Sequence, residues 1–329
     1  MSEMNKNEDE INRTEILFLY DARLVNPNGD PLNDNKPRIV NNKEIVTDVR
    51  LKRSIRDFID RNKESDDFLK HRKAKTWLIL EKKENGKPKT KEEQLKEKPN
   101  WNEYTDIKLF GATMLPNTEG KTKENKNVVL TGPVQFKIGT SLNEVQPIFI
   151  KGTTVSPSAE GRGAGTFTER WVVNYALISF YGLINENTTK LNYDKFKANL
   201  TKDDVDVMLY SMWHGIQDLN TQSKVGERPR FILTVEYSEK NFQIGNIDNY
   251  LKLENKGKIE LPDDVKIDIT ELIDALNENI DKIEKIRFFF DRDLKVVYKD
   301  KDIGIMDFEK SINKGKARIF DKEFKFLDR

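Results

Sequence analysis

Residues 15–25 form a run in which both alternating sets of side chains are apolar. Ile16 and Phe18 belong to one set, and Leu17 and Leu19 belong to the other. Successive side chains of a strand point to opposite faces, so both faces of this segment must be covered. The run therefore predicts a central strand, and it restricts the chain to a fold with packed layers on both sides of a sheet.

A loop and a helix are predicted after this strand. Residues 26–38 are rich in proline, asparagine and glycine, which is typical of a loop. Residues 47–61 predict a helix, with Thr47 as the N-cap and Asp48 in the first turn. The apolar stripe of this helix consists of Leu51, Ile55, Phe58 and Ile59.

The junction of this loop and helix is a candidate phosphate site. The helix carries four cations, Arg50, Lys52, Arg53 and Arg56. Helix N-termini present free N–H groups to anions, and basic side chains hold phosphates. A solvated basic face that keeps the helix soluble is the alternative.

The rest of the chain predicts further elements separated by polar segments. Strands are expected at residues 106–112, 131–138, 231–237 and 286–298, and helices at 166–183, 202–219 and 268–283. Polar loops or insertions are expected at residues 62–100, 117–127 and 151–165, with a flexible tail over residues 1–13. This order favours an α+β sandwich of the ferredoxin or RNA-recognition-motif type, interrupted by long insertions.

Composition excludes several classes of site. The 329-residue chain has no cysteine and two histidines, which excludes thiolate metal sites, disulfides and cysteine nucleophiles. The formal net charge is +1, so a nucleic-acid site must come from local clusters of charge. The polar N-terminus lacks a signal-peptide core, and the longest near-apolar run, residues 171–184, is too short to span a bilayer. We therefore expect a cytoplasmic protein without membrane contact.

Residues 151–170 form a second candidate binding segment. Lys151, Arg162 and Arg170 accompany glycines at 161, 163 and 165. Glycine lets a backbone approach a phosphate closely, whereas an ordinary surface loop is the alternative.

Other residues have two interpretations each. The carboxylates of Asp21, Asp30, Asp34 and Asp48 could hold magnesium for phosphodiester cleavage, but turn formation and helix capping explain these positions more simply. His214 follows Trp213 on an apolar helix face, which favours packing, and His71 lies in a charged insertion, where RNA contact and plain exposure are both open. The aromatic residues that could stack on bases, although their spacing favours core packing, are Trp171, Tyr175, Phe180 and Tyr181.

Short stretches of the chain carry a resemblance to a known family. They are YDAR at 20–23, NPNGDP at 26–31, PR at 37–38, TDVRLKR at 47–53, IR at 55–56, LFGA at 109–112, TGPVQF at 131–136 and GTFTER at 165–170. From about Ile16 to Tyr237 the chain resembles the backbone subunit of Cascade, the type I CRISPR effector complex, and most closely its I-B (Csh-type) branch.

The resemblance implies a fold shaped like a right hand. A modified RNA-recognition-motif (ferredoxin-like) palm would span residues 14–329, with a finger insertion at about 62–105 and a long thumb loop at 150–165. Copies of the chain would assemble head to tail along one CRISPR RNA, together with other Cascade subunits. The guide bases would stay free to pair with a target DNA strand in antiviral defence. No catalytic residue, metal or cofactor is implied.

The resemblance also implies which residues grip the guide. They are Asn26, Asn28, Arg38, Thr47, Lys52, Arg53 and Arg56, with Arg162 as the thumb cation. The charge pattern adds Arg50, Lys151 and Arg170. A subunit that must hold any guide should contact the backbone and leave sequence reading to base pairing.

Two alternatives stay open. Related backbone subunits of type III complexes cleave target RNA through a loop aspartate, so Asp30, Asp34 or Asp48 would be the candidate here. The other alternative is a self-associating structural protein whose basic face is only solvated.

Overall fold

The computed structural model describes residues 10–77, 83–84, 87–88, 100–114, 128–154, 166–254, 259–320 and 324. In this part of the chain the helices are Asp48–Asn62 (α1), Asp67–His71 (α2), Thr105–Phe110 (α3), Glu186–Phe196 (α4), Lys202–Gln217 (α5), Thr270–Glu278 (α6) and Ile305–Ser311 (α7). The strands are Thr14–Arg23 (β1), Gly29–Asp30 (β2), Lys36–Pro37 (β3), Ile39–Val40 (β4), Lys43–Val46 (β5), Lys83–Glu84 (β6), Lys87–Pro88 (β7), Gly111–Met114 (β8), Val128–Thr131 (β9), Val134–Phe136 (β10), Gly139–Ser141 (β11), Pro147–Thr154 (β12), Thr166–Val173 (β13), Tyr175–Ile184 (β14), Arg228–Tyr237 (β15), Lys252–Leu253 (β16), Lys266–Asp268 (β17), Ile283–Phe290 (β18), Lys295–Tyr298 (β19), Lys301–Ile303 (β20) and Ala317–Ile319 (β21).

A nine-stranded sheet is the centre of the fold. Its order is β21–β18–β15–β1–β14–β11–β5–β4, and β10 also pairs with β14. β1 is antiparallel to both of its neighbours, with Thr14 opposite Ile184 on β14 and Glu236 on β15. Every residue of β1 before Arg23 is buried. The predicted central strand is confirmed, and so is a mixed α/β fold with a large sheet.

One face of the sheet is covered by α1 and α5, which pack on the side of Ile16 and Phe18. The predicted helix at residues 47–61 is confirmed, with the Thr47 hydroxyl accepting a hydrogen bond from the main-chain N–H of Arg50. The helix predicted at 202–219 is confirmed as α5. At Gly215 an added Cβ would lie 2.9 Å from the main-chain oxygen of Ser54. The close approach of α5 to α1 therefore requires a very small residue there.

The opposite face is covered by the C-terminal part of the chain. Leu17 and Leu19 pack there in a core that includes residues of α6 and α7 and of a four-stranded sheet in the order β16–β17–β19–β20. β18 and β21 join the large sheet itself, parallel to each other. The described residues after 238 are therefore an integral layer of the fold.

The helix predicted over residues 166–183 is wrong. These residues form most of β13 and β14, which are separated at Asn174. Every residue from Tyr175 to Gly182 is buried. A strand covered on both faces has no polar alternation, so its continuous apolar run cannot be distinguished from a buried helix by periodicity.

The strand predicted over residues 106–112 is wrong in its first part. Thr105–Phe110 is helix α3, and the strand β8 begins only at Gly111. Gly111 has a φ of +77°, and a Cβ there would lie 2.0 Å from the main-chain oxygen of Leu130. The glycine allows the chain to leave the helix and pair at once with β9.

Several predicted boundaries also shift. The strand at 131–138 divides into the end of β9 and β10, the helix at 268–283 shortens to α6 and a 3-10 turn, and the strand at 286–298 divides into β18 and β19. Residues 151–154 of the predicted loop are the end of β12. Residues 155–165 and the predicted loop 117–127 lie outside the described residues.

A flexible tail was predicted over residues 1–13, but its described residues include positions that pack on the fold. Ile11 is buried, and the Arg13 guanidinium lies 2.8 Å from the Glu186 carboxylate. Residues 11–13 are thus packed on the fold, and residues 1–9 lie outside the described part of the chain.

The crossing of α1 and α5 makes a stability prediction. Gly215→Val should lower the melting temperature, with a loss of about 2 kcal/mol in unfolding free energy, because the new side chain pushes α5 away from α1. Thermal denaturation followed by circular dichroism measures the change. Lys202→Ala, an exposed position on the same helix, is the control and should have little effect. Equal melting temperatures for Gly215→Val and the unchanged protein would contradict the close crossing.

Candidate functional site

Loop 26–38 leaves the end of β1 and is held by its own asparagines. The buried Asn26 amide donates to the main-chain oxygen of Asn35 at 2.7 Å. The Asn28 amide donates to the main-chain oxygen of Ile45 at 3.4 Å. At Gly29 an added Cβ would lie 2.8 Å from the main-chain oxygen of Asn35, so the short β2–β3 hairpin favours glycine there. The two asparagines predicted to bind RNA thus fold the loop.

The cations of α1 are held by partners inside the chain. Lys52 Nζ lies 2.9 Å from Asp48 Oδ2, and Arg53 Nε lies 2.6 Å from Asp57 Oδ1. Arg50 donates to the Ser54 hydroxyl at 2.9 Å. The predicted basic flank is therefore largely neutralised, and phosphate would have to share or replace these partners.

Lys52 and Arg56 lie deeper than the predicted basic flank implied. Both cations lie over the ring of Phe110, at 5.5 and 5.1 Å. Arg56 Nε lies 3.1 Å from the fully buried Asp106 carboxylate. These two cations attach α1 to α3, and Arg53 is the more exposed neighbour.

A cleft of about 450 Å³ opens between loop 26–38 and the base of the β12–β13 hairpin. Lys36 and Arg38 line it from the loop side, and Trp171 lines it from β13. Lys36 Nζ lies 5.2 Å from the centre of the Trp171 ring, and Arg38 Nη2 lies 3.2 Å from Asp30 Oδ1. The two cations can bind a phosphate, and the adjacent aromatic ring can stack on a base.

Sequence reasoning missed half of this cleft. Arg38 was predicted as an RNA-binding residue, but Lys36 was not, and Trp171 was assigned to a packed helix. Lys36 could have been found from the sequence, because it is a basic residue within loop 26–38, which was already a candidate phosphate site. Trp171 was named among the aromatics that could stack on bases, but core packing was preferred, and only the strand formed by residues 166–173 places it beside the loop.

The β12–β13 hairpin carries the predicted thumb residues. Lys151 Nζ lies 3.3 Å from Glu169 Oε1, and both side chains are more than half exposed. Arg170 is exposed and pairs in register with Ile150. Arg162 lies outside the described residues.

A buried polar cluster adjoins loop 26–38 and was not predicted. It contains Glu44 on β5 and Lys224 and Glu227 on the turn before β15. The Lys224 ammonium donates to the main-chain oxygens of Asn26 and Pro27, the latter at 2.7 Å. Both carboxylate oxygens of Glu44 and one of Glu227 are buried without a hydrogen-bond partner among the described residues.

The ionisation of this cluster is strongly perturbed. Burial raises the pKa of Glu44 to about 8, with Lys224 acting in the opposite direction. Burial also raises the pKa of Glu227 to about 7 and lowers the pKa of Lys224 to about 8. Loss of water around each charged form is the largest cause in all three groups.

The four candidate aspartates do not converge. Asp21 is buried against Arg230 at 2.8 Å, Asp30 contacts Arg38, and Asp48 contacts Lys52. Asp34 lies in a turn with a φ of +49°. Among the described residues, no group of three or more histidine or carboxylate side chains is placed to hold a metal ion.

His214 and the remaining candidate aromatics are packed as predicted. His214 is buried, its ring lies 6.0 Å from Phe58, and its Nε2 lies 3.3 Å from the main-chain oxygen of Phe324. Tyr175, Phe180 and Tyr181 belong to the core. Within the part of the chain that the structure describes, no helix is long and apolar enough to cross a membrane.

Comparisons with known proteins identify a family by sequence and a similar fold by structure. A family model described as CRISPR-associated protein Cas7 matches residues 12–270. A Haloferax volcanii protein named CRISPR-associated protein Cas7 is 29% identical over 333 aligned positions, which cover 91% of this chain and 92% of that protein. A chain of a solved CRISPR RNA-guided surveillance complex has a TM-score of 0.50 at 13% identity and covers 96% of this chain and 97% of its own length. A pre-nicking form of such a complex has a TM-score of 0.50 at 12% identity, with 96% and 98% covered.

The buried cluster makes a pH-dependent stability prediction. The folded chain binds a proton at Glu44 more tightly than the unfolded chain, so this contribution is full below about pH 4.5 and is lost as the pH rises through about 8. Glu44→Gln should flatten the fall in unfolding free energy between pH 5 and pH 8. It should raise stability at pH 8 by about 2 kcal/mol.

Urea denaturation at pH 5, 6.5 and 8 measures this effect. Glu239→Gln is the matched control, since its side chain is 53% exposed and pairs only distantly, at 3.9 Å, with Lys282. An unchanged pH slope in Glu44→Gln would show that this carboxyl group does not carry the titration.

Proposed function

The chain belongs to the CRISPR-associated Cas7 family, and on that premise we propose that it is a non-catalytic backbone subunit of a type I effector complex, Cascade. Copies of it hold one CRISPR RNA by its phosphates and present the bases to a target DNA strand. The other Cascade subunits and further copies of the chain are its partners in antiviral defence. The branch most similar to its motifs is I-B, and the expected compartment is the cytoplasm.

One observation carries this proposal, namely the cleft where loop 26–38 meets the base of the β12–β13 hairpin. Lys36 and Arg38 provide positive charge on one wall, and Trp171 provides an aromatic face on the other. Aromatic faces stack on any base, and cations bind any phosphate, so such a cleft accepts RNA without selecting its sequence. That property is what a subunit must have if it holds guides of every sequence.

The partially exposed ion pairs near the cleft are suited to exchange. Arg38 is 37% exposed and its partner Asp30 is 28% exposed, so their pairing stabilises the fold little. A phosphate can therefore replace or share the carboxylate at small cost. Arg53, Lys151 and Arg170 offer further partly exposed or exposed cations. Lys52 and Arg56 act mainly by fixing α1, on which Arg50 and Arg53 lie.

We propose that the central strands and two helices are a modified RNA-recognition-motif palm. The strand order β15–β1–β14–β10, with every pair antiparallel, supports this. The helices α1 and α5 follow β1 and β14 in the chain and pack on one face. This is the βαββαβ arrangement of ferredoxin-like folds.

The proposed thumb is residues 150–165, and the proposed fingers are residues 62–105. The hairpin of β12 and β13 supports the thumb, because eight residues on each strand extend about 26 Å at a rise of about 3.3 Å per residue. In this proposal the thumb contacts a neighbouring copy along the RNA, and Arg162, which lies outside the described residues, is its cation. Head-to-tail contact of this kind is heterologous and forms an open helical array.

We also propose that the chain has no catalytic activity. Asp30 and Asp48, two of the three loop and helix-start aspartates that a type III-like nuclease would use, are engaged with Arg38 and Lys52. Asp30 suits loop folding, because it accepts a hydrogen bond from the main-chain N–H of Leu32, and Asp48 places negative charge in the first turn of α1.

Purified chain expressed with a CRISPR repeat-spacer transcript should carry RNA. We expect a high ratio of absorbance at 260 to 280 nm, large particles by size exclusion and dispersal of those particles on ribonuclease treatment. Sequencing of the bound RNA should return repeat-spacer sequence. In magnesium, the loaded particles should leave complementary RNA intact.

Two outcomes would contradict the proposal. Protein that is RNA-free and also fails to bind added CRISPR RNA at low salt would exclude the binding role. Magnesium-dependent cleavage of complementary RNA that disappears in Asp30→Ala would revive the nuclease alternative.

Two variants of the cleft should distinguish the contribution of base stacking to RNA binding from that of phosphate contacts. Trp171→Ala should weaken RNA binding about tenfold, because one stacked base is lost, without changing the slope of log K against log salt. Arg38→Gln should reduce that slope by about one, because one phosphate contact is lost. Fluorescence anisotropy with labelled single-stranded RNA over a salt series measures both quantities.

Tyr193→Ala is the control for the stacking variant. Tyr193 is a 49%-exposed aromatic on α4, away from the cleft, and its loss should change neither quantity. If Trp171→Ala binds like the unchanged chain, the aromatic wall does not contact RNA.

A further inference from the structure

We propose that Lys224 is a positioning residue for RNA binding, which holds the start of loop 26–38 in its binding form from the turn at residues 221–227. The inference rests on the proposed RNA-binding function. It concerns a residue far from the loop in sequence, outside the segments from which the candidate RNA-binding residues were drawn.

The turn at residues 221–227 forms hydrogen bonds with both the main-chain N–H and the main-chain oxygens at the start of the loop. The main-chain N–H of Asn26 donates to the main-chain oxygen of Ser223 at 2.8 Å. In return, the Lys224 ammonium donates to the main-chain oxygens of Asn26 and Pro27. Two adjacent carbonyl groups are thus held by one cation, and the direction in which the chain leaves β1 depends on it.

Main-chain hydrogen bonds within the turn fix the position of Lys224. The main-chain N–H groups of Lys224 and Val225 both donate to the Thr221 oxygen at 2.9 Å, and the N–H of Glu227 donates to the Lys224 oxygen at 3.0 Å. Gly226 has a φ of +103°, a conformation that side-chain-bearing residues rarely adopt. The turn reverses tightly and returns the chain to β15, which pairs with β1.

Charged groups from several elements act on Lys224. Glu227 on the same turn and Glu44 on β5 favour its positive charge, and Arg50 on α1 opposes it. Arg38 of the loop acts on Glu44, and Tyr20 on β1 lies in the fields of Glu227, Arg50 and Glu44. The cluster therefore joins loop 26–38 to α1, β1 and β5.

The charge of this cluster changes near neutral pH. The pKa of Lys224 is lowered to about 8, while those of Glu227 and Glu44 are raised to about 7 and about 8. As the pH rises from 7 to 9, Lys224 and the two carboxyl groups together release protons, and the net charge of the cluster becomes more negative. The charge-assisted hydrogen bonds to the loop weaken, and negative charge accumulates beside the RNA phosphates. RNA affinity should therefore fall over this range.

The test compares Lys224→Met, Lys224→Arg and the unchanged full-length chain. The probe is a labelled single-stranded RNA of defined sequence, and its Kd is measured at pH 7, 8 and 9 in constant salt. Lys224→Met should raise the Kd about tenfold at pH 7, because two hydrogen bonds from a cation are lost. Lys224→Arg should keep the affinity at pH 7 and lose less of it by pH 9 than the unchanged chain, because arginine stays charged while the carboxyl groups still ionise.

Lys240→Met is the matched control for the loss of one positive charge. The Lys240 side chain is 80% exposed and lies 3.8 Å from Glu10. Its loss should leave both the Kd and its pH profile nearly unchanged. If Lys224→Met behaves like Lys240→Met, the positioning role is overturned while RNA binding by the unchanged chain still stands.

A second measurement does not depend on RNA. Hydrogen exchange at the amides of residues 26–36 should be faster in Lys224→Met than in the unchanged chain and restored in Lys224→Arg, with thermal denaturation confirming that each variant is folded. Equal exchange in all three proteins would overturn the inference. If the unchanged chain binds no RNA, the proposed function fails, and the exchange result still decides whether Lys224 holds the loop.

Discussion

β1 has a hydrogen-bonded strand on each side and a packed layer on each face, so its residues from Thr14 to Ala22 are removed from solvent. This double-sided burial requires both α1 with α5 and the C-terminal layer, since loss of either would expose a row of apolar side chains to water. It also fixes where loop 26–38 begins, because the loop follows the C-terminal end of β1. The candidate site is therefore attached to the most constrained strand of the fold.

Two carboxylates of β1 tie the C-terminal layer to this strand. Glu15 accepts a hydrogen bond from the Tyr181 hydroxyl at 2.7 Å and from the main-chain N–H groups of Ile244 and Gly245 at 3.0 and 2.9 Å. Asp21 lies 2.8 Å from the guanidinium of Arg230 on β15, which also lies 3.1 Å from the Asp291 carboxylate in the C-terminal part of the chain. A buried charge without partners is strongly destabilising, so each of these pairs specifies one arrangement of the layer. In contrast, Glu44 and Glu227 have buried carboxylate oxygens without a hydrogen-bond partner among the described residues, so their charged forms are poorly stabilised beside the loop.

Much of the fold and part of the site could be predicted from the sequence. The central strand, the capped helix at residues 47–61 and loop 26–38 all rest on local signals, namely periodicity, a capping threonine and turn-forming residues. The helix predicted at 166–183 failed because a strand buried on both faces has lost the alternation that identifies strands. Phosphate-binding roles were assigned from the family resemblance and from charge, neither of which reveals that Lys52 and Arg56 lie over Phe110 or that Arg53 pairs with Asp57.

The sequence by itself determined that a basic loop–helix junction follows a central strand, because those patterns are local and each residue's neighbours are close in the chain. Only the tertiary structure decided what surrounds that junction. Trp171 reaches Lys36 from more than a hundred residues away, and Lys224 reaches Asn26 from nearly two hundred. Such contacts depend on how strands are ordered in the sheet and on which layers cover it. Strand order follows from the balance of burial over the whole chain, and no local pattern of residues encodes it.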